Sequence, residues 1–303
     1  MFIAEDYTTW MKSFEKFWYY MCIDRDSQEA VGGVCMAFDR SASEEPEEDI
    51  YYEVEKAPKN LQFISVMKMT SLYASKYGFD KMPNYKHNFV AIPTDNVVIP
   101  TVVDSQYVIK DLKDVEEADV IAYDIAISRR SRAKYFVNFI TTGKCFTKVA
   151  LDTTGKIVGI GCVRAVYSND LCAGPVFADS EAFSSYLVTI CFQAFLISRV
   201  KPGALYVLLV ERGHRTGNLL QMFQVIAASL LAEILLSIPD LRKYKMFASL
   251  YPAINENAAR LFHSIGGTKA KIVPFTQCQF TKKIFPIDDI KVFAMTECAC
   301  SVV

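Results

Sequence analysis

Alternating apolar and polar residues run through Thr147–Asp152 (TKVALD), break at Thr153–Lys156 (TTGK), and give way to the apolar run Ile157–Val166 (IVGIGCVRAV). Period two ending at a glycine-bearing turn predicts a β-hairpin. A third strand, Cys172–Ala178 (CAGPVFA), follows within a few residues and ends in Asp179-Ser180-Glu181, residue types suited to begin a helix. Three strands feeding a helix N-terminus make a platform for a phosphate-bearing ligand.

The pattern recurs near the N-terminus. After a strand and short helix over Phe2–Trp18, Phe17–Asp24 reads as a strand, Arg25–Glu29 as a turn and Ala30–Phe38 as the returning strand. Asp24 with Val31-Gly32 corresponds to Asp152 with Val158-Gly159, which predicts two copies of one unit. Ser41–Asp49 (SASEEPEED) is a solvated acidic loop. Leu61–Tyr77 predicts a helix, with Phe63, Val66, Met67, Leu72 and Tyr73 on one face and Gly78 closing it. Asn84–Gln106 is extended and punctuated by Pro93 and Pro100, so a domain boundary is expected near 104–108. Residues 1–105 would then form a shortened lobe and 106–303 a fuller one.

Beyond that boundary, helices are expected over Asp111–Ile127 and Arg129–Thr141, and buried core helices within Tyr186–Val200 and Asn218–Ile238. Gln221, Gln224, Ser229 and Glu233 interrupt the last run, which favours core over a membrane span. Lys243–Leu250 is a strand, Asn255–Ile265 a helix, and Lys271–Lys283 with Lys291–Glu297 a closing pair of strands. The fold class expected is α+β, a mixed α/β architecture.

Composition changes this picture little. Half the residues are hydrophobic (51%), enough for a sizeable core, and a net charge of −1 leaves no footprint for nucleic acid. Arg129, Arg130, Arg132 and Lys134 read as the wet face of a helix. The nine cysteines are odd in number and scattered, which fits buried thiols in a reducing compartment. With no signal-peptide pattern in MFIAEDYTTWMKSFEKFW, the cytosol is the expected location. Cys298-Ala-Cys300 lacks companion ligands, and His87, His214 and His263 are dispersed, so no metal site is expected. Gly159-Ile-Gly161 resembles the start of a dinucleotide fingerprint, but Arg164 replaces the third glycine.

Candidate chemistry lies in Asn255-Glu-Asn-Ala258-Ala-Arg-Leu261-Phe262-His-Ser-Ile-Gly266, directly after a strand. It resembles the asparagine–alanine–leucine–tyrosine helix of the GNAT (GCN-related N-acetyltransferase) superfamily. There the asparagine lies beside the pantetheine arm and the tyrosine protonates the departing thiolate. Here the tyrosine position holds Phe262, which has no proton to give. Ser71-Leu72-Tyr73 with Tyr77-Gly78 resembles the same helix a second time. Gly174-Pro-Val-Phe-Ala-Asp179, behind VGIGCVR, resembles the C-terminal acetyltransferase domain of tandem GNAT proteins of the YitH type, a kind also met in nematodes. The resemblance covers Tyr107–Glu297, and more weakly Phe2–Tyr85.

The resemblance implies tandem lobes, the second with a splayed central mixed sheet, and an N-acyltransferase moving an acetyl or other acyl group from acyl-CoA to an amine. Acetyl-CoA would lie between Cys172–Ala178 and Lys243–Leu250, held by backbone near Val176 and Phe177 and by Asn255. Arg212, Gly213 and Gly217 in Val210–Leu220 resemble the family's phosphate loop, with Arg215 in place of the middle glycine. That loop lies far beyond the hairpin, so an insertion around 190–228 is expected. Asp179-Ser-Glu181 brings two carboxylates and no glycine, a poor cradle for phosphate. The first lobe, too short between Asp39 and Asn60, is expected to lack a cofactor site. No base is named, and water, Tyr244 or Tyr251 would have to replace the missing acid. The alternative is a catalytically silent binding or scaffolding protein that kept the fold.

Overall fold

The computed structural model describes residues 5–14, 16–38, 60, 62–100, 107–179 and 225–296. Its centre is a mixed sheet flanked by helices on both faces, a mixed α/β fold.

The strands are β1 (Lys16–Ile23), β2 (Ala30–Phe38), β3 (Gln62–Val66), β4 (His87–Pro93), β5 (Val108–Asp111), β6 (Cys145–Leu151), β7 (Ile157–Ala165), β8 (Leu171–Ala178), β9 (Met246–Pro252), β10 (Lys271–Phe280) and β11 (Val292–Ala294). The helices are α1 (Glu5–Ser13), α2 (Thr70–Tyr77), α3 (Glu117–Ser128), α4 (Ala133–Thr141), α5 (Val225–Ser237) and α6 (Glu256–Gly266). Among the described residues β1 and β2 pair only with each other, while the main sheet runs β3-β10-β4-β9-β8-β7-β6-β5, with β11 beside β8.

Both predicted hairpins form, and their repeated aspartates do the same work. Asp24 accepts from the backbone N–H of Asp26 (3.1 Å) and Ser27 (2.8 Å). Asp152 accepts from Thr154 (2.8 Å) and Lys156 (3.0 Å). Short side-chain acceptors of this kind stabilise a turn locally. The turn's tightest residue has positive φ in each case, Gln28 at 58° and Gly155 at 88°.

β5 to β8 form an antiparallel meander, and β8 then runs parallel to β9. Past β9 the two halves of the chain interleave. The strand–helix–strand unit β3–α2–β4 shares its strands alternately with the unit β9–α6–β10, each strand antiparallel to the next. Residues on either side of the expected boundary therefore belong to one sheet, while residues 101–106 lie outside the described residues. The acidic loop Ser41–Asp49 and most of the expected insertion also lie outside them.

One face of the sheet is covered by α5 and α6, the other by α1, α3 and α4. Gly159 and Gly161 on β7 set the approach of α5. A Cβ at Gly159 would lie 2.7 Å from Ile226 Cγ2, and one at Gly161 would lie 2.9 Å from Ile234 Cδ1. The Gly-Ile-Gly run is thus a helix-packing surface inside a buried strand.

Several expectations are corrected. Leu61–Tyr77 is not one helix: Gln62–Val66 pairs with β10, and the helix begins at Thr70. A short apolar run satisfies either period, and the neighbouring strand decides. Val108–Asp111 is likewise strand, so the next helix starts at Glu117, and Arg129 ends it in the left-handed region (φ 58°). Arg132 does not face water. It is buried and makes a two-point pair with Asp124, Nη2–Oδ1 at 2.7 Å and Nε–Oδ2 at 2.9 Å. The two C-terminal strands do not pair with each other: β10 lies between β3 and β4, and β11 lies against β8.

Candidate functional site

β8 and β9 are joined at one end only. Leu171, Cys172 and Ala173 register with Phe247, Ala248 and Ser249, and Ser249 Oγ donates to the Ala173 carbonyl at 3.0 Å. The ladder stops there. Gly174-Pro175 comes next, and a proline has no N–H to contribute. Beyond it Val176 and Phe177 part from Leu250 and Tyr251, opening the slot in which the sequence placed a thioester donor.

The slot is filled by the chain itself. β11 enters it antiparallel to β8, with Val292 opposite Phe177 and Ala294 opposite Val176. On the other wall the Met295 N–H donates to the Leu250 carbonyl at 2.8 Å. The segment packs into the cores on both sides of the sheet. Phe293 and Ala294 join the core under α5 and α6, whereas Val292 and Met295 join the core under α3 and α4. All four are at most 2% exposed, so the segment is as buried as any central strand. A Cβ on Gly174 would sit 2.0 Å from the Met295 carbonyl oxygen, so glycine is needed where the segment passes.

Asn255 stands at the mouth of the slot. Its Oδ1 accepts from the Ala258 N–H (3.2 Å), capping α6, while its Nδ2 donates to the carbonyls of Ile290 and Val292, both at 2.9 Å. Its place at the start of a helix follows from the sequence. Its second role, holding the intruding strand, does not. Lys291 closes the other side, with Nζ 3.2 Å from Asp179 Oδ1 and 3.4 Å from Asp288 Oδ2. Arg129 reaches Asp288 at 3.8 Å. Tyr123 donates to the Val158 carbonyl at 3.0 Å and lies 3.3 Å from Asp179. Burial, together with the Asp179 charge, keeps its phenol protonated. Sequence reasoning missed Lys291, Asp288 and Arg129, because nothing local ties an exposed-looking lysine to an aspartate more than a hundred residues away.

The remaining nominated residues are scattered. Phe262 is buried and stacks on Tyr251, centroids 5.5 Å apart. Tyr251 is buried too, its hydroxyl 3.5 Å from Asn88 Nδ2, and burial raises its pKa. Tyr244 precedes β9 at the joined end, about six residues or roughly 20 Å of strand from the opening. Lys144 and Lys243 each hold an ammonium near its ring, 5.5 and 5.3 Å from the centroid. The structure therefore brings Val176, Phe177, Asn255, Tyr251 and Phe262 towards one end of the sheet and leaves Tyr244 at the other. Arg212, Gly213 and Gly217 lie outside the described residues. Among the described residues no cluster of metal-ligating side chains occurs, and no helix is long and apolar enough to cross a membrane.

No family model matches the sequence, and no curated protein is significantly similar to it. Solved structures do align with it. One is a candidate acetyltransferase from Pyrococcus horikoshii, 11% identical with a TM-score of 0.45, over 79% of this chain and 59% of that one. A GCN5-related N-acetyltransferase from Sphaerobacter thermophilus is 13% identical with a TM-score of 0.42, over 77% and 62%. Another from Kribbella flavida is 10% identical with a TM-score of 0.36, over 73% and 66%. The chain thus spans about three-fifths of the first two. At such distance the likeness says nothing of the site.

Proposed function

We propose that this protein is a GNAT-type N-acyltransferase, taking an acyl group from acyl-CoA to an amine, and that it is seen here in a closed form. The observation that carries this reading is the parting of β8 and β9 after Ala173 and Ser249, with Asn255 at the mouth. In such a reaction the amine nitrogen bonds to the acyl carbon, the carbon–sulfur bond breaks, and the sulfur leaves as CoA thiol. With β11 in place the slot does not fit a pantetheine arm. The phenol packed against Phe262 is that of Tyr251, which burial keeps protonated and thus able to donate.

A second reading, a silent protein that kept the fold, is favoured by Phe262 at the acid position and by the filled slot. Assay of free thiol released from acetyl-CoA in the presence of an amine panel separates the two. Amine-dependent release above the rate of hydrolysis supports the transferase. Absence of release, together with no stabilisation by acetyl-CoA, supports the silent protein. A donor at about a thousandfold over its Kd would stabilise the fold by roughly 4 kcal/mol.

A further inference from the structure

Resting on the acyltransferase reading, we propose that Asp288–Thr296 is a tethered stand-in for the donor's pantetheine arm, and that acyl-CoA binds only when this segment has left the slot. Pantetheine is a chain of two amides, so an extended peptide offers the same kind of carbonyl acceptors and N–H donors along its length.

The segment uses the groups such an arm would need. Asn255 Nδ2 gives both its hydrogens to backbone carbonyls, those of Ile290 and Val292. Val176 and Phe177 register with Ala294 and Val292, and Leu250 accepts from Met295 on the opposite wall. The Asn255 side-chain amide and the Leu250 carbonyl are thus engaged by this segment while it stays.

The hold is also localised, as a releasable strand requires. β11 spans only Val292–Ala294 and its register with β8 is irregular. The chain reaches it from β10 through residues 281–288, which form no helix or strand. At its near end it is clasped by charge, Lys291 against Asp179 and Asp288, with Lys291 and Asp288 each about one-fifth exposed. At its far end Thr296 accepts from the buried Arg132 at 3.2 Å. Loosening the clasp or filling Gly174 acts on the segment without touching Asn255.

Two variants of the full chain test this, Gly174→Ala, whose Cβ would strike the Met295 carbonyl, and Lys291→Glu, which sets a third carboxylate beside Asp179 and Asp288. Acetyl-CoA affinity is measured by calorimetry, and exposure of Val176, Phe177 and Val292 amides by hydrogen exchange. The expected result is faster exchange at those amides and binding tighter than wild type by at least about tenfold, since apparent affinity scales with the open fraction. Equal affinity in wild type and variants overturns the stand-in and leaves the acyltransferase reading intact. Freely exchanging slot amides with no binding overturns the acyltransferase reading, and the stand-in with it. Slot amides as protected in both variants as in wild type mark the segment as permanent core and also overturn the proposal. Should Gly174→Ala fail to fold, Lys291→Glu, at a partly exposed side chain, carries the test alone.

Discussion

The side-chain amide of Asn255 donates to the backbone carbonyl of Val292 at 2.9 Å, tying the first turn of α6 to the strand lodged between β8 and β9. One buried side chain thus serves two elements, and each service has its own cost of removal. Asn255→Ala should lose the cap, about 1 kcal/mol, and leave two carbonyls without their donor, for a total loss of roughly 3 kcal/mol. Asn255→Asp keeps the cap acceptor but turns a carboxylate oxygen toward those carbonyls, so it should destabilise at least as much. Urea unfolding of the two variants decides the point. An aspartate variant close to wild type would mean that the bonds to Ile290 and Val292 contribute nothing.

Gly159 offers a sharper test of packing. Its missing Cβ is the space that Ile226 Cγ2 and Leu230 Cδ1 occupy, at 2.7 and 2.9 Å from where a Cβ would stand. Gly159→Ala should cost about 1–3 kcal/mol by overpacking α5 on β7. Trimming the neighbour in the double variant Gly159→Ala, Ile226→Ala should recover part of that loss. Additive losses would show that the clash is relieved elsewhere and that Ile226 does not set the approach.

How much of this was legible beforehand follows from the range of each interaction. The hairpins were read correctly because their signals are local: an alternating strand, an aspartate accepting from the turn, and a residue of positive φ. The helix at Asn255–Ile265 was legible for the same reason. The strand at 62–66 was hidden inside a helical pattern, and that at 108–111 lay unread just ahead of one, because β10 and β6, both distant in sequence, decide their state. Arg132 looked like surface because its partner Asp124 precedes a chain reversal at Arg129 that spacing alone does not reveal. The occupant of the slot was least legible of all. Val292–Ala294 reads as a strand, but β10 as its partner was the natural expectation, and only the gap between β8 and β9 explains where it went.

Arg132 and Asp124 are 3% and 1% exposed, and Arg132 also reaches Thr296 just past β11. Removing either charge alone, by Arg132→Met or Asp124→Leu, should cost roughly 3–5 kcal/mol, because the survivor is left buried and unpaired. The double variant should be less damaging than the sum, as apolar replacements of similar volume lose no solvation. A double-mutant cycle in denaturant gives the coupling directly. Strict additivity would mean that water reaches the pair and the two charges act separately.

His87 makes stability depend on pH in a stated direction. It is buried between Thr276 and Pro252 on the neighbouring strands, its Nδ1 3.3 Å from Thr276 Oγ1, and burial pushes its pKa from 6.5 down to about 4. The folded ring therefore stays neutral where the unfolded ring takes up a proton. The unfolded state binds more protons between those two values, so stability falls as pH drops from 6.5 toward 4, by about 3 kcal/mol for this group alone. Asp289, whose carboxyl burial pushes upward, opposes the trend at the acid end, so the comparison must be made against a variant. In His87→Gln the loss on going from pH 7 to pH 4.5 should shrink by roughly 2–3 kcal/mol relative to wild type, read from urea unfolding at each pH. Parallel pH profiles for the two proteins would show that His87 is protonated in the folded state, with water or a rearranged Thr276 accepting its second proton.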